Sequence, residues 1–558
     1  MCLKTVNLIR KFSSKASVSY FTTPIYYVNA KPHIGHLYSS LIADAAQRWQ
    51  QIYHKGAKIK FSTGTDEHGT KIQQAAKSHN TSLSGYCEGI SSQYRHLADQ
   101  FTIQYTDFIR TSEEKHKKTV QQFWNCLATK GHIYKSTYQG WYCISDETFL
   151  SDSQLDKVVR NGVETLVSAE SGHPVEWSEE QNYIFKLSSF KDDLVYWLTR
   201  NENAVQPKKF YKILLNLIHT DGALSDISVS RPSSRVHWGI PVPGDDTQTI
   251  YVWLDALVNY LTVAGYSQVP DTEFQQCWPP YVQVIGKDIL KFHGVYWPAF
   301  LIAAGLEPFH TLLCHSHWTV DGEKMSKSKG NVIDPLERSQ LYSTDGLRYF
   351  LLREGVSHSD GNYSDTKVIR ILNSELADTL GNLLSRCCGK ALNPSQTYPS
   401  INTEVLEKIS SLEVTKKLLD NLNNLPDLCE QHYNEFNFYK ATDAVIATLH
   451  SCNLFFETLK PWELKKRPES SEELSVVLHL AMESLRISGI ILQPLIPNIS
   501  HVLLNKLGVP REERYFENCR EFSWTDSGFR GRSLGEDKNA LFKRLVTEET
   551  KKVKISKV

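Results

Sequence analysis

The chain opens with a strand, a helix and a second strand in quick succession, and that order most restricts what it can fold into. Val18–Ile25 is rich in β-branched and aromatic residues. Ile34–His54 repeats apolar residues at helical steps, with Leu37, Leu41, Ala45 and Trp49 on one side, and Gly56 can end that helix. Lys58–Thr63 is a second strand, followed by the turn Gly64-Thr65-Asp66-Glu67-His68-Gly69. Strand, helix, strand begins a parallel α/β sheet. The rhythm breaks over residues 126–236, which are more polar and carry short strands. It resumes at Tyr251, at Tyr281–Ile285 and at Leu312–Cys314. From about residue 366 the periodicity is helical, with Leu372, Leu376, Leu380, Leu383 and Leu384 in one apolar stripe. Proline-rich joints fall at Pro394–Pro399 and Pro494–Pro497.

At 558 residues, 41% of them hydrophobic, the chain can build three or four domains with ordinary cores. A net charge of zero excludes a uniformly basic coat and leaves room for a local basic groove. The 11 cysteines form no Cys-x-x-Cys pair, and only Cys387-Cys388 are close, which fits reduced, buried thiols. No continuous apolar run reaches the roughly 18 residues of a membrane span. Residues 1–43 contain no acid, while Lys4, Arg10, Lys11 and Lys15 sit among Ser13, Ser14, Ser17 and Ser19. That is the composition of an organelle transit peptide, assigned here to residues 1–17; a short basic tail is the alternative.

Two motifs carry phosphate chemistry. His33-Ile34-Gly35-His36 opens the first long helix, where free N–H groups and the helix dipole favour phosphate oxygens. His33 and His36 share a face, and Gly35 lets a flat base or ribose approach the backbone. Lys324-Met325-Ser326-Lys327-Ser328, followed by Lys329-Gly330, makes a cationic loop suited to a departing pyrophosphate. Taken singly, the first is as easily a pair of surface histidines and the second a solvated basic loop.

Together, in this order and context, they resemble the HIGH and KMSKS signatures of class I aminoacyl-tRNA synthetases. The segments Phe21–Asn29, Gly64–Gly69, Tyr251–Ala256 and Ile285–His293 narrow the resemblance to the methionyl-tRNA synthetases, over about residues 18–340. The resemblance implies a Rossmann-like α/β catalytic domain with a parallel sheet (18–125 and 237–315) holding an inserted connective domain (126–236). A KMSKS and stem-contact region (316–365), an all-α helical-bundle anticodon-binding domain (366–525) and a charged C-terminal tail (526–558) complete the expected order. It implies methionine activation with ATP and Mg2+, and transfer to tRNA(Met). The catalytic set is His33, His36, Lys324 and Lys327. The ATP contacts add Gly35, Asp288, Ser326 and Ser328.

The methionine set is Ile25, Tyr27, Asp66, Trp253, Ala256, Tyr260, Ile289, Phe292, His293 and Trp297. The last four fall at i, i+3, i+4 and i+8, so one helix face would carry them. Trp253, Ala256 and Tyr260 share another face. Two aromatic faces can enclose a thioether, which gains ~0.3–1.5 kcal/mol per sulfur–ring contact; plain core packing is the competing use. Asp66 resembles the carboxylate that holds the α-ammonium, and Asp288 a ribose- or substrate-contacting acid. Capping aspartates are the alternative for both.

Many relatives carry zinc knuckles in the insertion. Here Cys143 remains but Asp146 stands where a second cysteine would be, so no zinc is expected. Leu257-Val258-Asn259-Tyr260 resembles the bacterial and mitochondrial branch, which agrees with the leader and points to the mitochondrial matrix. Asn382 and Arg386 share a helix face, and Asn453 and Pro461-Trp462 resemble the anticodon-reading element. Stacking on Trp462 would supply ~1–3 kcal/mol per base. The chain ends soon after this bundle, so a monomer with no membrane contact is expected. Two rival readings are another class I synthetase, against which the size of the insertion and the lack of zinc thiolates argue, and a non-catalytic tRNA-binding scaffold, against which both intact motifs argue.

Overall fold

In the computed structural model the described residues are 17–144, 148–150, 152–160, 163–169, 171–220, 222–325, 330–525, 529, 531–536 and 539–546. The expected leader lies almost wholly outside them, as do Asp146, Ser326, Lys327 and Ser328. The chain divides into two compact units. One comprises the segments up to Pro32, Lys58–His96 and Gln104–His315; the other comprises His33–Ala57, Leu97–Ile103 and the chain from Ser316 onward.

The first unit is built on a seven-stranded sheet in which every pairing is parallel. Its order runs Val205–Gln206, Thr311–His315, Val282–Gly286, Ser19–Thr22 and Ile59–Asp66. Tyr26–Tyr27 and Asp107–Arg110 both pair with the last of these. Every residue of Val282–Gly286 is buried, as expected for a central parallel strand. The carboxyl edge of such a sheet is where open α/β folds bind ligands. Asp66 ends its strand at that edge, and Lys287 and Asp288 follow the strand that ends at Gly286.

The polar segment forms an antiparallel sheet centred on Ile133–Cys143 against Glu176–Phe185, with a hairpin of Leu155–Arg160 and Val163–Ser168. The expected insertion (126–236) was drawn too uniformly. Val205–Gln206 lies inside it yet pairs with Thr311–His315 in the main sheet. A two-residue strand between helices Lys191–Arg200 and Lys208–His219 is too short to give a periodic signal.

The second unit is helical and contains the long helices Glu413–Asn434, Phe438–Leu459 and Ser471–Leu492. The leucine stripe is buried as expected at Leu372, Leu376, Leu380, Leu383 and Leu384, although Leu372–Gly381 winds as a π-helix. Among the described residues, one helix, Pro468–Leu492, has the length and composition to cross a membrane. Its most apolar stretch is 94% buried inside the unit, so it serves as a core helix.

The first long helix, Ile34–Tyr53, groups with this second unit rather than with the sheet. The cause is polar. Arg348, wholly buried, donates to Asp44 of that helix at 2.7 Å, to the Phe101 carbonyl at 2.9 Å, and to the carbonyls of Pro494 and Leu495 at 3.1 and 3.0 Å. Arg48 donates to the same carboxylate at 2.7 Å. Removing one partner of a buried pair strands the other's charge, which costs about 3–5 kcal/mol. Asp44→Ala is therefore expected to lower the denaturation midpoint sharply in chemical unfolding, whereas Glu407→Ala, at an exposed position, leaves it near the parent value.

Candidate active site

A short helix, Val252–Leu257, and the turn Phe292–Tyr296 bring the aromatic residues of the first unit together. Trp253 stacks on Phe292 with ring centroids 3.7 Å apart and planes 11° apart. His293 stands edge-on to Trp253 at 6.4 Å. The Tyr260 hydroxyl lies 2.8 Å from Nε2 of His293, whose Nδ1 lies 3.1 Å from the Ile289 carbonyl. A carbonyl only accepts, so Nδ1 carries the hydrogen and Nε2 accepts from the phenol. Burial lowers the His293 pKa from 6.5 to about 4, outweighing the Ile289 hydrogen bond and the Asp288 charge. The ring is thus a neutral, fully hydrogen-bonded wall among aromatic ones. Tyr260 is fixed in turn, since its carbonyl accepts from the Tyr20 hydroxyl at 3.2 Å.

The structure does not extend one α-helical face across Ile289, Phe292, His293 and Trp297. Lys287–Ile289 is a 3-10 turn and Phe292–Tyr296 a π turn, so the side chains rotate away from the α-spacing. Trp297 is wholly buried and packs near Tyr260, Phe123 and Trp278, supporting Tyr260 from behind. Ala256 is buried, and Ile25 and Ile289 are half-buried against the same core. Tyr27 packs against the apolar cluster that contains Val28, Ile72 and Tyr86. Asp66 is 9% exposed at its strand end, in register with Tyr27. Asp288 is exposed, and its carboxylate lies so close to Gly286 that a Cβ there would come within 2.6 Å of it.

Beside Asp66 lies a polar network that sequence reading missed. Asp255, wholly buried, meets Nδ1 of His68 at 2.7 Å and Nε2 of His116 at 2.8 Å. Burial pushes the Asp255 carboxyl up, but the His68 charge and the hydrogen bonds from both imidazoles outweigh it and bring it to about 2. Glu67, also buried, accepts from Arg110 at 2.7 and 3.2 Å and from the Thr65 hydroxyl at 2.9 Å. His68 and Asp255 sat in motifs already singled out, but nothing in sequence joined them. His116 lies in the charged run Glu113–Lys118, which reads as a solvated face.

The HIGH residues lie in the second unit. His33 caps the helix, accepting from Gly35 N–H at 3.1 Å, while its own N–H donates to Nδ1 of His36 at 3.2 Å. The two rings stack at 3.8 Å, as their spacing implied. A Cβ on Gly35 would lie 2.9 Å from the His33 ring, so glycine is needed for this cap as well. The first turn holds no acidic residue. The Ile34 N–H donates to the Ile333 carbonyl at 3.2 Å, which ties this helix start to the segment after the lysine loop. Lys324 is exposed at the end of the hairpin Trp318–Val320 and Glu323–Lys324.

Farther along the second unit, Arg386 lies 5.5 Å from the Trp462 ring centre and 4.8 Å from that of Phe456, and pairs with Glu457 at 2.6 Å. Asn382 is exposed one turn before Arg386 on the same helix. Asn453 is half-buried and donates to the carbonyls of Thr379 and Leu449 at 3.2 and 3.0 Å.

A parallel sheet, a HIGH-capped first helix and a lysine-rich motif later in sequence than the last strand of that sheet define a class I aminoacyl-tRNA synthetase. Residues 19–388 match the family described as tRNA synthetases class I (M), and residues 407–553 match the anticodon binding domain of methionyl tRNA ligase. The mitochondrial methionine–tRNA ligase of Mus musculus is 49% identical, over 96% of this chain and 93% of its own length. That of Homo sapiens is 48% identical, over 96% and 92%. The Mycobacterium tuberculosis methionyl-tRNA synthetase solved with methionyl-adenylate superposes with a TM-score of 0.87 at 32% identity, over 95% of this chain and all of that one. The chain belongs to the methionyl-tRNA synthetase family.

The state of His293 has a pH signature. Below pH 6.5 the unfolded chain takes up a proton that the folded chain refuses until about pH 4. Stability attributable to this residue therefore falls as pH drops through that window, by about 3 kcal/mol in full. The difference in unfolding free energy between the parent and His293→Gln should shrink between pH 7 and pH 4.5. A pH-independent difference would show that His293 is not held neutral.

Proposed function

We propose that the chain activates L-methionine with Mg·ATP and loads it onto tRNA(Met) in the mitochondrial matrix, acting as a monomer. The observation that carries the methionine reading is the uncharged cluster of Trp253, Phe292, Tyr260 and His293. A long unbranched thioether gains from rings and meets no ionic group there. Ala256, Ile25 and Ile289 add apolar surface, and Trp297 supports the wall from behind. Asp66 holds the α-ammonium through a charged hydrogen bond, worth ~1.5–3 kcal/mol.

In the first step a methionine carboxylate oxygen attacks the α-phosphorus. The bond to the bridging oxygen breaks, and pyrophosphate leaves with both bonding electrons. Catalysis here is positioning and stabilisation of charge. His33, Gly35 and His36 meet the phosphates at the helix start. Lys324 and Lys327, with Ser326 and Ser328, meet the departing pyrophosphate, and Asp288 contacts the ribose or the amino acid. In the second step a terminal ribose hydroxyl of the tRNA attacks the adenylate carbonyl, giving the ester and AMP. Trp462 stacks on an anticodon base, while Arg386 and Asn382 offer donors to base edges and phosphate.

Methionine-dependent pyrophosphate–ATP exchange tests this reading. Trp253→Ala should raise the KM for methionine at least roughly tenfold, the effect of losing several ring contacts, with the KM for ATP unmoved. An unchanged methionine KM would remove the aromatic cluster from the binding site. Lys327→Ala should cut adenylate formation by about 100-fold or more, in the range of lost transition-state donors, while methionine still binds; loss of both together would contradict its role. Trp462→Ala should slow tRNA charging and spare exchange, and an undiminished charging rate would remove Trp462 from anticodon reading.

A further inference from the structure

The triad His68–Asp255–His116 lies outside the reaction described above, yet it touches both sides of the methionine site. His68 is two residues past Asp66, the carboxylate assigned to the ammonium. Asp255 lies between Trp253 and Ala256 on the helix Val252–Leu257. His116 lies on a third element, the helix Glu114–Thr129. All three side chains are buried to at least 97%.

The hydrogen bonds fix the donors. Nε2 of His116 faces the Asp255 carboxylate, which only accepts, so Nε2 donates. Nδ1 of His116 lies 2.9 Å from the Thr262 hydroxyl, which also reaches the Val258 carbonyl at 3.2 Å. Asp255 spends one oxygen on each imidazole, Oδ1 on His116 and Oδ2 on His68. One carboxylate thus pins the Asp66 turn and the Trp253 helix to a common post. The turn is held from its other side by Arg110 on Glu67. Trp238 caps this arrangement, with its ring 5.8 Å from His68 and its N–H donating to the Glu67 carbonyl.

We infer that His68, Asp255 and His116 are positioning residues for methionine, setting the separation between the Asp66 carboxylate and the Trp253 ring so that ammonium and thioether are held at once. The inference rests on the reading of that cluster as the methionine site. It predicts an effect on one substrate alone. A misplaced Asp66 or Trp253 weakens methionine, while ATP contacts assigned to the HIGH and lysine-loop residues are untouched.

Exchange kinetics on the full chain test this with graded replacements. Asn can place an amide donor where Nδ1 of His68 stands, and Gln where Nε2 of His116 stands; leucine keeps bulk but donates nothing. His68→Leu and His116→Leu should raise the methionine KM by roughly 10- to 100-fold, the effect of a lost charged hydrogen bond, with the KM for ATP unchanged. His68→Asn and His116→Gln should recover most of that loss. Should the leucine variants fail to fold, Asp255→Asn, which keeps shape and loses charge, gives the same readout. Equal methionine KM values for leucine and amide variants, or a KM for ATP that rises in step, would overturn the proposal and leave the triad a packing feature. Trp253→Ala separates the two claims. If it raises the methionine KM and His68→Leu does not, only the triad's role fails. If neither does, the methionine site itself is misplaced.

Discussion

The second unit turns on one buried guanidinium. Arg348 gives its hydrogen bonds to the Asp44 carboxylate, to the Phe101 carbonyl and to the neighbouring carbonyls of Pro494 and Leu495. Buried charge is tolerable when it is hydrogen-bonded and a counter-ion is present; here every guanidinium nitrogen donates and Asp44 supplies the opposite charge. The helix that begins with His33 is consequently anchored to the helical part of the chain, not only threaded between strands. Its start is bonded to Ile333, four residues past the end of the lysine run. The helix start and Ile333, far apart in sequence, are thereby joined within one unit.

The first unit uses the complementary device. Around Trp253 and Tyr260 polarity is removed, with even His293 kept neutral by burial and saturated by a phenol and a carbonyl. A few residues away in sequence, at Asp255, charge is concentrated and fully paired. Trp253 and Asp255, two residues apart on one short helix, thus lie in opposite surroundings, an aromatic one and a charged, paired one.

Much of this was legible in the sequence, for reasons that differ by residue. The first helix and its flanking strands carry strong periodicity, so their extents were set within a few residues. The spacing of His33 and His36 pointed to their meeting, but they meet as an N-cap and the third helical residue in a capping box rather than as two residues on one helical face. The aromatic stripe after Ile285 was harder. The α-periodicity assumed for it fails where a 3-10 turn and a π turn intervene, which moved Trp297 behind Tyr260. His116 was invisible, because a buried histidine within a lysine-rich run is revealed only by its partner, and that partner lies 139 residues away. The grouping of residues 33–57 with the C-terminal chain was equally hidden, depending on an arginine 304 residues from its aspartate.

A crystal structure with a non-hydrolysable methionyl-adenylate analogue addresses the central claim most directly. The account predicts the thioether sulfur within about 5 Å of the Trp253 or Tyr260 ring, the usual sulfur–aromatic spacing, with the α-ammonium on the Asp66 carboxylate. A side chain seated elsewhere, with Trp253 still stacked on Phe292 and Asp66 out of reach of the ammonium, would contradict it.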